Sequence, residues 1–191
     1  MALYEFEGKR PQIGAGTFVP ETADVIGDVV IGRGCFIGVG SRLRGDYGRI
    51  VIGNHTSVQE NVVIHARDGG ETLVGSNVQL GHGCILHNAT VKDNAVIGIG
   101  AILTDFCVVG DWAIIGEGAV VRGEVPDGKI AVGIPAKIIG DVTERHKQEW
   151  NYYKAKYAEL ASKRYPKGLK RIDSGGPFFI PEPGSLPKDP E

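Results

Sequence analysis

Residues 91–126 read VKDNAV, IGIGAI, LTDFCV, VGDWAI, IGEGAV and VRGEVP, which are six consecutive units of six residues. Each unit opens with Val, Ile or Leu, and the same spacing extends back towards the N-terminus. Neither the 3.6-residue period of a helix nor the two-residue alternation of a half-buried strand fits this pattern. The recurring aliphatic positions are Val25, Ile31, Ile37, Leu43, Ile52, Val58, Ile64, Val74, Leu80, Leu86, Val91, Ile97, Leu103, Val109, Ile115 and Val121.

Six residues are enough for one short strand and one corner, and three such units close a triangular coil of about 18 residues. The aliphatic residue at the first position then points into the prism. Gly or Asn at a corner tolerates the positive φ that the corner requires. We therefore predict an all-β fold, a single-stranded parallel β-helix of about six coils over roughly residues 12–126.

Three irregularities interrupt the spacing. Leu43 and Ile52 are nine residues apart, which predicts a bulge at 46–48, and Ile64 and Val74 are ten apart, which predicts a loop at 67–70. From Leu86 to the next aliphatic position there are only five residues.

The chain divides into three predicted parts. Residues 1–140 form the β-helix with a Gly/Pro-punctuated crossing segment, and residues 141–172 contain a C-terminal α-helix, over 143–163, packed on the prism with Thr143 as its N-cap. Residues 173–191 are rich in Pro and Gly and predict an extended tail, whose segment 178–180 is apolar enough to dock on a neighbouring subunit.

Composition excludes several classes of protein. A net charge of −2 with a pI near 6.2 argues against a nucleic-acid surface. The sequence shows neither an 18-residue apolar stretch nor a secretory leader, so we expect no membrane partner and a cytoplasmic location. Three widely spaced cysteines (Cys35, Cys84 and Cys107) all occupy the fifth position of a unit, where we expect small buried side chains.

The histidines predict a metal site. His65 and His87 each follow a first-position aliphatic, one full coil apart, so their side chains stack with the strand spacing of about 4.8 Å. His82 lies five residues before His87, roughly 16 Å along an extended chain at about 3.3 Å per residue, and cannot join the pair within one subunit. In a homotrimer, the His82 of one subunit faces the pair of the next. Three histidines with water in the fourth position are the ligands of a catalytic zinc site, although iron or cobalt also fits. We interpret His55 and His146 as ordinary surface groups.

Other polar residues surround this site. Arg44 occupies the same position of its unit as His65 and His87, so the three side chains form one column. Asp46, at the first bulge, pairs with Arg44, either as a plain salt bridge between subunits or as a pair that positions the metal ligands. Gln59 stacks one coil below Gly81, beside His82, where it is either a solvated polar side chain or a hydrogen-bond partner of solvent on the metal. We interpret Glu60 as a partner for polar groups across the interface.

The stretches LRGDYGRIVIGNHTSVQENVVIH (43–65) and GHGCILH (81–87) resemble the γ-class carbonic anhydrase group of the hexapeptide-repeat proteins. The resemblance implies a left-handed coil, zinc on His65, His87 and the neighbour's His82, an interface pair of Arg44 with Asp46, and Gln59 against the metal-bound solvent. Well-studied active members have a glutamate where this chain has Tyr47, and a longer acidic loop with a proton-shuttling glutamate where it has ARDGGET (66–72). The shorter pattern is closer to the branch that includes the proteins PaaY and CaiE, in which an aromatic residue of the helix lies near the metal; Tyr157 is our candidate.

The favoured function is zinc-dependent, reversible hydration of carbon dioxide, a small-molecule substrate, to bicarbonate. One alternative is a CoA-thioester hydrolase with the same metal centre. Another is a CoA-dependent acyltransferase, since the segment GIPAK (133–137) is common in that class, which uses one histidine as a general base. The last is a trimer that binds metal with little or no catalysis.

Overall fold

The computed structural model describes residues 2–171, so the predicted tail at 173–191, with its segment 178–180, lies outside the described residues. The described chain is a left-handed parallel β-helix of about seven turns, one more than the spacing predicts, followed by a C-terminal helix. Every pairing between strands of the prism is parallel, which confirms the predicted fold.

The strands lie on three faces. The first face holds β1 (Ala2–Tyr4), the first half of β3 (Asp24–Ile31), the first half of β5 (Arg42–Ile52), β7 (Val63–His65), β10 (Ile85–His87), β13 (Ile102–Leu103) and β16 (Val120–Val121). The second face holds β2 (Gln12–Ile13), the second halves of β3 and β5, β8 (Glu71–Val74), β11 (Thr90–Val91), β14 (Val108–Val109) and β17 (Glu124–Val125). The third face holds β4 (Phe36–Ile37), β6 (Ser57–Val58), β9 (Gln79–Leu80), β12 (Val96–Ile97), β15 (Ile114–Ile115) and β18 (Lys129–Val132), closed by the antiparallel β19 (Lys137–Asp141).

The core consists of the first-position aliphatic residues. All sixteen of those named above are at most 3% exposed, and they stack in columns because each strand pairs in register with the strand one coil away. The three cysteines are fully buried among them, as predicted. Burial raises the pKa of Cys84 to about 12, so this thiol stays protonated at neutral pH.

Several corners use residues that accept a left-handed backbone. Asn61, Asn77 and Asn94 have φ between 54° and 60°, a conformation that Asn tolerates better than most residues. Gly81 has a different reason to be glycine, because a Cβ there would lie 2.7 Å from the carbonyl oxygen of Ile97 on the next coil. This close approach fixes the backbone immediately before His82.

The C-terminal helix differs from its predicted bounds. Helix α1 spans Glu144–Glu159, a π-helical turn follows at Leu160–Arg164, and α2 spans Tyr165–Gly168. Thr143 is the N-cap, as predicted, and its partner in the capping box is His146, for which we predicted no role. The π turn shifts the hydrogen-bond register, so that Pro166 falls at the start of α2, where a missing N–H costs little.

Aromatic contacts hold the helix on the third face. The ring of Tyr157 lies 5.4 Å from that of Phe36, and Tyr165 lies 5.3 Å from Phe36 and 5.1 Å from Phe18, centroid to centroid. This packing continues the helix beyond its predicted end and brings Tyr157 over the face that carries Gln59.

Lys154 anchors the other edge of the helix. Its Nζ donates to the carbonyl oxygen of Asn94 at 2.7 Å and lies 4.6 Å from the ring centroid of Trp112. Burial lowers the pKa of this amine to about 8, against a smaller opposing effect of the Asp111 carboxylate.

We expect the pH dependence of stability to change in Lys154→Met. The unfolded chain keeps the proton up to about 10.4, whereas the folded chain releases it near 8. The unfolded state therefore binds more protons between these values, and wild-type stability rises with pH across that window. Urea midpoints at pH 7 and 9.5 should show that Lys154→Met removes part of this rise and that Lys163→Met, which changes an exposed lysine of the π-helical turn, keeps it. An unchanged rise in Lys154→Met would contradict the assignment.

Within the part of the chain that the structure describes, no helix has the length and apolar character of a membrane span.

Candidate metal centre and adjoining pocket

The stacked histidine pair lies on the first face. His65 ends β7 and His87 ends β10, the two residues are paired in register, and their ring centroids are 5.3 Å apart. Arg44 occupies the next rung of the same column, paired with His65. The register predicted from the spacing is therefore confirmed. The inward-facing Ile64 and Leu86 fix the outward direction of the two imidazoles.

Asp46 supports one imidazole from the bulge of β5. Its carboxylate lies 3.0 Å from His65 Nε2, accepts from Arg44 at 2.5 Å, and accepts from the N–H of Tyr47 at 2.9 Å. Burial raises the pKa of this carboxyl, but the bonds from Tyr47, His65 and Arg44, together with the charge of Arg44, outweigh burial and lower it. Asp46 is thus an anion at neutral pH that orients His65.

A second carboxylate, Asp105, which the sequence did not predict, supports the other imidazole. Its Oδ1 lies 2.8 Å from His87 Nδ1, and its Oδ2 accepts from Arg67 at 2.7 Å. Asp105 lies two residues after Leu103, which pairs in register with Leu86, so an acidic residue on the rung next to His87 was the available signal. Both histidines of the pair therefore have a carboxylate partner on one nitrogen.

His82 lies at a different corner, where the third face turns into the first. Its Nδ1 is 2.7 Å from Glu60 Oε2, an ion-pair distance without the alignment of a hydrogen bond. The sequence predicts a partner across the interface for Glu60, whereas the structure gives it one within the same chain. The side chain of His82 is about half exposed, so it is accessible to another subunit.

A pocket of about 370 Å³ opens beside His82, between the third face and α1. We call it the helix-side pocket. It brings together three residues singled out from the sequence: Gln59, His82 and Tyr157. Burial, followed by the nearby charge of Glu60, raises the pKa of the Tyr157 hydroxyl. Gln59 is only 3% exposed and lines this pocket.

The predicted site residues thus fall into two separate groups in one subunit. Arg44, Asp46, His65 and His87 form the column on the first face, and Gln59, His82 and Tyr157 line the helix-side pocket. Within residues 2–171, no three His, Cys, Asp or Glu side chains are arranged to hold a metal ion. A three-histidine centre therefore needs a second subunit.

Tyr47 lies over the histidine column at the position where the resemblance expects a glutamate. Its ring is 6.4 Å from that of His65 in an edge-on arrangement, and its side chain is 62% exposed. The position is therefore beside the column but carries no carboxylate.

Comparison with known proteins supports the fold and the repeat. The family model "Bacterial transferase hexapeptide (six repeats)" matches residues 88–123. The carnitine operon protein CaiE of Escherichia coli O157:H7 is 40% identical over 91 residues, which are 48% of this chain and 46% of that protein. The match thus spans about half the length of these curated relatives.

Two solved structures are similar over most of the chain. A hexapeptide transferase family protein from Anaplasma phagocytophilum is 33% identical, with a TM-score of 0.80, over 84% of this chain and 96% of that one. A protein described as a putative acetyltransferase from Bacillus cereus is 29% identical, with a TM-score of 0.83, over 84% of this chain and 95% of that one.

Proposed function

The chain belongs to the hexapeptide transferase family, and within it we propose a homotrimer with a metal centre shared between subunits, which hydrates carbon dioxide to bicarbonate in a zinc-dependent reaction. The observation that carries the proposal is the stacked pair of His65 and His87, each ring held by its own carboxylate.

The donor set fits a zinc ion. A histidine that ligates a metal usually gives its other ring nitrogen to a carboxylate or carbonyl group, which fixes the ring. His65 has Asp46 in this role and His87 has Asp105. His82 of a neighbouring subunit, with Glu60 against its Nδ1, would be the third ligand. Iron and cobalt suit the same three imidazoles.

An apolar strip favours the assembly that the site requires. Val63, Ile85 and Ile102 are neighbours in register on the first face and remain between 37% and 40% exposed. Contiguous exposed aliphatic residues of this kind mark an interaction surface. Val63 and Ile85 lie on the strands that end in His65 and His87, so a subunit covering the strip comes close to the pair.

Ile85→Asp is expected to dissociate the trimer, because a carboxylate in the middle of the strip cannot be buried without a partner. Light scattering should give about 61 kDa for the wild type, three times the 20.4 kDa subunit, and one subunit mass for the variant. Val51→Asp, on the second face, is the control and should leave the mass unchanged. A trimeric Ile85→Asp would place the interface elsewhere.

Residues of the helix-side pocket would complete the site. Zinc held by His65, His87 and the His82 of a neighbouring subunit would supply a Lewis acid that lowers the pKa of bound water towards about 7. The Gln59 amide would orient the attacking oxygen. Tyr157, whose raised pKa keeps it protonated at neutral pH, would donate a hydrogen bond. The loop at 66–72 is shorter than the acidic loop that carries the proton-shuttling glutamate in active γ-class carbonic anhydrases. The proton released in the reaction would therefore pass to buffer.

Acyl transfer from CoA is the second candidate, and the names of the similar proteins favour it. His87 with Asp105 at 2.8 Å is a suitable general base in one subunit, with no need of a metal. The same metal centre could also hydrolyse a CoA thioester. The two stacked histidines favour the metal, because a general base needs only one of them.

One preparation distinguishes these functions. We expect about one zinc per chain and carbon dioxide hydration, both lost in His87→Ala and both removed by a chelator. Transfer of an acetyl group from acetyl-CoA to an amine, at an equal rate before and after chelation, would favour the second candidate and refute the first.

A further inference from the structure

The helix-side pocket has a composition that the metal centre does not explain. Its helix wall presents three aromatic rings, those of Trp150, Tyr153 and Tyr157, and its rim carries Glu117 and Glu149. The residues lining it include no Lys or Arg. The pocket is therefore aromatic and acidic at once.

The two rim carboxylates are available to a ligand. Across residues 2–171, neither Glu117 nor Glu149 forms an ion pair, although the same region contains twelve other ion pairs. A cation entering the pocket would meet both negative charges. It would also meet the faces of the rings, which attract cations, most strongly in the case of Trp.

A buried acceptor without a partner points to the same ligand. Gln79 lines the pocket and is only 7% exposed, and its side-chain oxygen Oε1 has no hydrogen-bond partner among the described residues. An unpaired buried acceptor costs free energy, and a ligand that donates a hydrogen bond recovers it. The carboxylates and rings alone would accept any cation, whereas Gln79 selects one that carries an N–H.

We propose that the helix-side pocket binds a small organic ammonium ion with at least one N–H. The ammonium group donates to Gln79 Oε1, its charge lies between the rim carboxylates Glu117 and Glu149, and its carbon chain packs against Trp150 and Tyr153. The inference goes beyond the metal-centre proposal, because none of these five residues is a metal ligand in it. The same pocket is unsuited to the phosphates of CoA, which are anionic.

The test compares four probes of similar size by ligand-observed NMR on the purified, full-length protein. Butylammonium should bind, and tetramethylammonium, which has the charge but no N–H, should bind more weakly. Butyrate and butanol should show no saturable binding. Equal binding of butyrate, or equal binding of tetramethylammonium and butylammonium, would overturn the proposal.

Variants locate the binding. Glu117→Gln and Glu149→Gln should each weaken butylammonium roughly two- to fivefold, and Trp150→Leu roughly tenfold. Glu124→Gln, an exposed glutamate on the second face, is the matched control and should leave the affinity unchanged. Unchanged affinity in the three pocket variants would place the amine elsewhere.

Chelation separates this proposal from the preceding one. Binding of butylammonium should survive removal of the metal, whereas carbon dioxide hydration should not. Loss of amine binding on chelation would mean that the amine nitrogen coordinates the metal and would refute the site proposed here. Loss of hydration in His87→Ala with intact amine binding would support both proposals separately.

Discussion

The variant His82→Ala is expected to lose bound metal and to reduce carbon dioxide hydration by roughly 100-fold or more, since loss of a direct ligand should exceed the effect of losing a supporting partner. His82 does not belong to the core, because its side chain is about half exposed. Among the described residues, its one ion-pair partner is Glu60. The fold should therefore remain intact. Metal analysis and stopped-flow hydration on the same sample measure both effects.

His55→Ala is the control for this experiment. His55 occupies a corner with φ 55° and lines a different pocket, on the opposite edge of α1. We expect its removal to leave metal content and hydration unchanged. A His82→Ala protein with full metal content would show that the third ligand is not this residue.

The variant Leu86→Ala is expected to cost about 2–5 kcal/mol of unfolding free energy, the usual range for a buried leucine replaced by alanine. Leu86 is fully buried, and its strand pairs with β7 on one side and β13 on the other. A cavity there affects three coils at once. The change also loosens the strand that holds His87, so metal affinity should fall together with stability.

A residue of the second face supplies the comparison. Val51→Ala also shortens an aliphatic side chain of a strand, but one that is partly exposed, directed outward and away from the apolar strip of the first face. Urea denaturation at one fixed protein concentration, which a trimer requires, should show a much smaller loss for Val51→Ala. Equal losses in the two variants would contradict the assignment of inward and outward positions.

Spacing along the chain was enough to predict the prism and its core. A period of six residues assigns each aliphatic residue to an inward position without any knowledge of its partners, and the stacking of His65 on His87 follows from the same count. The exact end of the helix did not follow, because the contacts of Tyr165 with Phe18 and Phe36 involve residues far apart in sequence.

Of the two carboxylates that support the histidine pair, the sequence predicted one and not the other. Asp46 was predicted because it lies two residues from Arg44, within the quoted motif. Asp105 was not, because its reach to His87 depends on side-chain direction across a rung rather than on position in the repeat. The helix-side pocket was predicted only in part, since Gln59 and Tyr157 meet through the docking of α1.

The central claim is that one metal site is built from two subunits, and mixed trimers test it most directly. His82→Ala and His87→Ala subunits, each unable to form a site alone, can be coexpressed with different tags and the mixed trimers isolated. A His82→Ala subunit keeps the pair of His65 and His87, and a His87→Ala subunit keeps His82. The metal site is therefore intact only at an interface where the pair of the first subunit faces the His82 of the second. Each mixed cyclic trimer has one such interface out of three, so the isolated mixed trimers should regain about one third of the wild-type sites and of the hydration activity. Mixed trimers with no more metal or activity than their parents would contradict the shared site.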